Sequence, residues 1–179
     1  VRLVGSEMCI RDRFIGRELV EMTRNIFPLS HKKEDTYLAG FSMGGYGAIR
    51  NGLKYHDTFG YIGAISAALL TDDLHNWGEG DDLLSSKFFA QSCFGDLNKV
   101  IGSDMDPKFL IDDLIANDIE IPKIFMAVGD NDFLYNENID YYNYLKSRNV
   151  DVEFRCSSGE HTWEFCNDYI KEFIEWLPL

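Results

Sequence analysis

Ser42 stands in Gly40-Phe41-Ser42-Met43-Gly44, a G-x-S-x-G run extended by Gly45-Tyr46-Gly47. A short β-type run, Thr36-Tyr37-Leu38-Ala39, precedes it, and a helix-capable stretch, Ala48 to Tyr55, follows. A serine on so sharp a strand-to-helix turn has its hydroxyl held clear of the backbone, above the free N–H groups of the helix start. The glycines answer a steric demand, since side chains two residues either side of the serine would strike the neighbouring strand and helix. The chemistry this suits is nucleophilic attack by the hydroxyl on an acyl carbon. Two phosphate-binding alternatives fail on spacing. No Gly-Lys-Ser/Thr follows, and the third glycine of a Gly45-x-Gly47-x-x-Gly pattern falls on Arg50. A glycine-rich turn used only for close packing is the remaining alternative.

A serine hydroxyl is a poor nucleophile until a base takes its proton, and an imidazole needs a carboxylate to fix its tautomer and steady its cation. Two further turns offer these groups. Gly129-Asp130-Asn131-Asp132 follows the buried run Pro122 to Gly129, and Ser157-Ser158-Gly159-Glu160-His161 follows the alternating run Val150 to Cys156. The G-x-x-D spacing favours Asp132 as the acid, with Asp130 the competitor that could instead cap the turn. His31, in the polar loop from Ser30 to Asp35, and His56, after the helix of the serine motif, have bland positions by comparison.

The elements that must carry these turns read as alternating strands and helices. Phe14 to Phe27 places Phe14, Ile15, Leu19, Val20, Met22, Ile26 and Phe27 mostly at helical spacing and ends before Pro28. Phe59 to Ile65 reads as a buried strand. Tyr135 to Arg148 reads as a helix with Ile139, Tyr142 and Leu145 on one side, and Thr162 to Leu177 as a closing helix. Between residues 66 and 121 the pattern is irregular, with Trp77, Gly78, Gly80, Phe88-Phe89 and Phe94-Gly95, and acidic pairs at Asp72-Asp73, Asp81-Asp82 and Asp112-Asp113. This stretch is expected to be a small helical cap-like insertion that helps to shape an acyl pocket; a helical connection with ordinary core aromatics is the alternative. The expected fold is α/β, a mostly parallel sheet with helices on both faces. In such sheets function gathers at the carboxyl ends of the strands, where Ser42, Asp132 and His161 fall in that chain order.

Composition bounds the rest. The 179 residues, 45% hydrophobic, suffice for one domain with a sizeable core. A net charge of −13 opposes binding to nucleic acid or to anionic membrane surfaces. No apolar run approaches the ~20 residues that span a bilayer. Cysteines at 9, 93, 156 and 166 form no C-x-x-C pair, so idle thiols in a reducing, cytoplasmic compartment are expected. The histidines show no metal-ligand spacing, and neither a metal nor another cofactor is expected.

Leu3-Val4-Gly5-Ser6-Glu7-Met8-Cys9-Ile10-Arg11-Asp12-Arg13 resembles a translated sequencing-library adapter. Residues 1–13 are therefore expected to be non-native, and 14–179 to be the C-terminal part of a single domain whose first strands, and any signal peptide, lie upstream.

Three blocks carry a family resemblance. They are Gly40-Phe41-Ser42-Met43-Gly44-Gly45-Tyr46-Gly47-Ala48, Gly129-Asp130-Asn131-Asp132-Phe133-Leu134-Tyr135 and Gly159-Glu160-His161-Thr162-Trp163-Glu164-Phe165. Together they resemble the esterase D group of α/β-hydrolases, most of all its tributyrin-esterase-type bacterial enzymes, which are related to S-formylglutathione hydrolases and to feruloyl and acetyl-xylan esterases. The resemblance implies a cofactor-free serine carboxylesterase acting on small-molecule, short-chain acyl esters. It places the nucleophile at Ser42, the acid at Asp132, the base at His161 and one oxyanion donor at the Met43 backbone N–H. A thioesterase of the S-formylglutathione hydrolase type and an inert hydrolase-fold fragment are the alternatives. The family's second oxyanion donor lies on an early glycine-containing loop that nothing before residue 36 supplies, so this form is expected to be weak or inactive beside the intact protein.

Overall fold

A computed structural model describes residues 12–76 and 87–178, without the side chains of 73, 75 and 76. Most of the adapter-like segment, Cys9, Trp77, Gly78, Gly80 and the Asp81-Asp82 pair lie outside the described residues.

Four strands, β1 (Tyr37–Phe41), β2 (Tyr61–Ile65), β3 (Lys123–Gly129) and β4 (Val152–Ser157), form one sheet in the order β1-β2-β3-β4. All three pairings are parallel, with Phe41 opposite Ile65, Ile65 opposite Ala127 and Gly129 opposite Ser157. The carboxyl ends of the strands therefore line up, and the three candidate turns emerge along the same rim.

Parallel neighbours need crossovers, and right-handed crossovers between strands laid down in sequence order put every connecting helix on the same face. The helices are α1 (Leu19–Ile26), α2 (Met43–Lys54), α3 (Lys87–Phe94), α4 (Pro107–Ala116), α5 (Tyr135–Ser147) and α6 (Trp163–Trp176). From the connecting helices α2, α4 and α5, Ile49, Leu53, Ile111 and Leu145 meet Ile62, Ala64, Ile124 and Met126 of the sheet in the main core. The opposite face of β3 presents Phe125 and Ala127, and Phe165, Tyr169 and Phe173 of α6 cover them. Their i, i+4 spacing makes one stripe of α6, and the Thr162 hydroxyl caps that helix by accepting the Phe165 N–H at 3.3 Å.

In the 66–121 stretch, α4 starts at Pro107 behind the Asp106 cap and buries Leu110, Ile111 and Leu114 in the main core, where Ala90 and Phe94 of α3 join it. These parts of the stretch belong to the crossover from β2 to β3. Helix α1, continuous with a π-helical turn at Phe14–Glu18, has the expected spacing, but Met22, Ile26, Phe27 and Leu29 stay exposed. Among the described residues nothing packs over that apolar stripe, and the outer edge of β1 has no strand partner.

Candidate active site

The turn between β1 and α2 holds Ser42 at φ 58° and ψ −121°, a left-handed conformation that costs a non-glycine residue on the order of 1–3 kcal/mol. Backbone bonds hold it there. Ser42 N–H donates to Ile65 O at 3.0 Å, and Ser42 O accepts from Ala68 N at 3.0 Å and from Tyr46 N at 3.1 Å. A Cβ on Gly40 would lie 2.1 Å from Gly44 O, and one on Gly45 would lie 2.9 Å from Ala67 Cα. Only glycine fits either place; a Cβ on Gly44, two residues past the serine, would meet nothing within 4 Å, so the clash expected there falls on Gly45 instead.

Ser42 Oγ lies 2.9 Å from His161 Nε2. On its other side the imidazole Nδ1 lies 2.9 Å from Asp132 Oδ2 and 3.0 Å from Oδ1. The Asp132 side chain is fully buried, and Oδ1 also accepts the Leu134 N–H at 2.8 Å. A carboxylate so placed fixes the Nδ1–H tautomer, which leaves the Nε2 lone pair facing the serine hydroxyl. The arrangement can take a proton from Ser42, hold the resulting imidazolium against a buried anion and return the proton to a departing group. Met43 is the first residue of α2, so its N–H has no intrahelical acceptor and stands beside Ser42.

Asp130 takes a different part from Asp132. Its Oδ1 accepts the Gly159 N–H at 3.1 Å, while Asn131 N–H donates to Gly159 O at 2.9 Å and Asp130 N–H to Ser157 O at 2.9 Å. It thus pins the loop that carries His161 to the turn that carries Asp132. His31 and His56 lie away from this cluster, in the loop before β1 and the turn after α2.

Three features of the site carry no local sequence signal. The fully buried Asn138 of α5 donates through Nδ2 to Ala67 O at 2.9 Å and Leu134 O at 2.7 Å, and accepts the Ala67 N–H at 3.1 Å. Ser66, at φ 44°, is a second strained residue at the strand ends, and its buried Oγ has no hydrogen-bond partner among the described residues. Aromatic rings also surround His161. Phe41 stacks on the imidazole with centroids 4.6 Å apart, Phe133 lies against it at 4.5 Å, and Trp163 meets Phe41 at 5.2 Å.

Beneath the serine, α2 is anchored by charge. The buried Arg50 pairs with Asp12 and with Asp104, 2.7 Å away, and Lys54 reaches Asp12 at 2.8 Å. Burial alone would raise the Asp12 pKa, but the hydrogen bonds from Lys54 and Arg50 outweigh it and the net shift is downward. Tyr46, one turn into α2, donates to Met105 O at 2.6 Å, and burial pushes its phenol pKa up. Among the described residues no group of three or more His, Cys, Asp or Glu side chains is placed to hold a metal ion, and no helix is long and apolar enough to cross a membrane.

A family model described as "Putative esterase" matches residues 8–177. The chain belongs to that esterase family. An acetyl esterase of Caldicellulosiruptor saccharolyticus is 43% identical over 165 residues, which are 92% of this chain and 62% of the relative. Two solved Staphylococcus aureus structures are also similar. The S-formylglutathione hydrolase FrmB has a TM-score of 0.76 at 35% identity, over 89% of this chain and 61% of the other. The fluorophosphonate-binding serine hydrolase FphF has a TM-score of 0.77 at 36% identity, over 89% and 60%. The chain thus spans about three-fifths of the length of these relatives. Its four parallel strands and flanking helices have the α/β-hydrolase fold of these esterases.

Proposed function

We propose that this member of the esterase family is a serine carboxylesterase that hydrolyses short-chain acyl esters through Ser42, His161 and Asp132. The observation that carries this reading is the continuous line of hydrogen bonds from Ser42 Oγ through His161 to Asp132, each contact near 2.9 Å. Ser42 Oγ attacks the ester carbonyl carbon while its proton passes to His161 Nε2. The Met43 N–H faces the oxygen that becomes negative, and Asp132 holds the imidazolium. Nε2 then protonates the departing alkoxide, which leaves an acyl group on Ser42. Water, deprotonated by the same nitrogen, attacks that acyl group, and release of the acid restores the serine. No cofactor enters these steps.

The test is covalent. A fluorophosphonate probe should label the parent chain at Ser42, and Ser42→Ala should abolish labelling. Labelling that persists at another residue would overturn the assignment. A second reading keeps the three residues and replaces the ester by a thioester, which the similarity to S-formylglutathione hydrolase favours. Turnover of a thioester and an oxyester of the same acyl group separates the two, and preference for the thioester would select the second.

A further inference from the structure

If Ser42, His161 and Asp132 work as proposed, the position of an ester's alcohol part is set. The leaving oxygen takes its proton from His161 Nε2, so it must come within hydrogen-bond reach of that nitrogen. The atoms bonded to that oxygen then lie against whatever surrounds the imidazole. Those surroundings are aromatic. Phe41 and Phe133 lie against the His161 ring, and Trp163 extends the strip beyond Phe41. Phe41 is half-buried, but Phe133 is 73% exposed and Trp163 70% exposed. Of the large apolar side chains described, only Phe88 is as exposed.

Two rings left this bare beside a nucleophile suit recognition, because a flat apolar group laid on them gains both buried area and ring-stacking contact. The two aspartates of the turn that carries Phe133 do not compete for that role. Asp132 is committed to His161 and Leu134, and Asp130 to Gly159.

We infer that Phe133 and Trp163 form the alcohol-side recognition surface of the site and select esters whose alcohol part presents a flat apolar ring face. An aryl ring and the carbon face of a sugar ring share this chemistry, and three acetate esters distinguish them: benzyl acetate, a 6-O-acetylated methyl glucoside and ethyl acetate. The parent chain should favour at least one ring ester over ethyl acetate by about tenfold in kcat/KM. Phe133→Ala and Trp163→Ala should each reduce that ratio, the double variant should bring it close to one, and Trp163→Phe should retain part of it. A ratio near one in the parent, or one unmoved by the double variant, would overturn the inference.

Binding gives a readout that does not need turnover. In Ser42→Ala, saturation-transfer NMR should detect benzyl acetate or the acetylated glucoside on the protein more strongly than ethyl acetate, and should lose that signal in the Phe133→Ala/Trp163→Ala background. Fluorophosphonate labelling of the parent reports separately on Ser42. Labelled protein without ring preference would refute this inference and leave the esterase reading intact. Unlabelled protein that still binds the ring esters through Phe133 and Trp163 would do the reverse.

Discussion

Asn138 grips Ala67 at both ends of its carboxamide, accepting the Ala67 N–H at 3.1 Å and donating to the Ala67 carbonyl at 2.9 Å. The two residues are 71 positions apart. Ala67 belongs to the turn whose next residue, Ala68, donates to the Ser42 carbonyl, and Asn138 also holds Leu134, whose N–H is bound by Asp132. One side chain thus joins the backbone behind Ser42 to the backbone behind Asp132. Asn138→Ala leaves a buried donor and acceptor unpaired, which typically costs ~1–3 kcal/mol for each group stranded. Urea denaturation should show a loss in that range, and fluorophosphonate labelling should slow at temperatures where the variant is still folded.

The backbone at Ser42 makes a second prediction. Its φ of 58° favours glycine over any residue with a Cβ. Ser42→Gly and Ser42→Ala both lack the hydroxyl, but only glycine relieves the strain. The glycine variant should be the more stable of the two by about 1 kcal/mol, read as a higher Tm in parallel melts.

Asp132 and Asp130 should separate sharply under the same substitution. Asp132→Asn keeps the shape but no longer fixes the Nδ1–H tautomer, a change that costs ~10⁴ in turnover in a Ser-His-Asp hydrolase. Asp130→Asn retains an oxygen for the Gly159 N–H and does not touch His161, so about tenfold or less should be lost. Initial rates on p-nitrophenyl butyrate compare them.

Asp12 supplies a pH prediction. Its ordinary pKa is 3.8; burial would raise it, and the bonds from Lys54 and Arg50 bring it below that value in the fold. Lowering on folding means that the ionised form stabilises the native state above pH 3.8 and that this contribution fades as pH falls from there through the lowered value. Asp12→Asn should therefore melt at lower temperature than the parent at pH 7, with the gap closing as the pH drops below about 4. A gap that stays constant over this range would place the stabilisation elsewhere.

Much of the fold could be read because its signals are local. Glycine at Gly40 and Gly129 marks two strand ends, and the buried runs between turns give the parallel order. The turns that carry Ser42, Asp132 and His161 were legible for the same reason, each lying just past a recognisable strand. The G-x-x-D spacing favoured Asp132 over Asp130, and in the structure Asp132 lies against His161 while Asp130 binds the Gly159 N–H. What escaped depends on contacts distant in sequence. The pattern of α5 puts Ile139, Tyr142 and Leu145 on one side, whereas the helix buries Asn138, Tyr141 and Leu145. Asn138 faces inward because Ala67 offers it both a donor and an acceptor, and no periodicity of apolar residues announces that. The stripe on α1 shows the converse, since helical spacing fixes which residues share a face and leaves open what covers it.

The bond between Ser42 and His161 joins residues 119 positions apart, and the one between His161 and Asp132 spans 29. No short segment can close it, because loop-closure entropy must be met before such a contact forms. Ser42 and His161 can meet only once β1 and the turn after β4 stand on the same rim. The return of probe reactivity during refolding therefore reports when these two turns come together, and it can be timed against the recovery of helical signal.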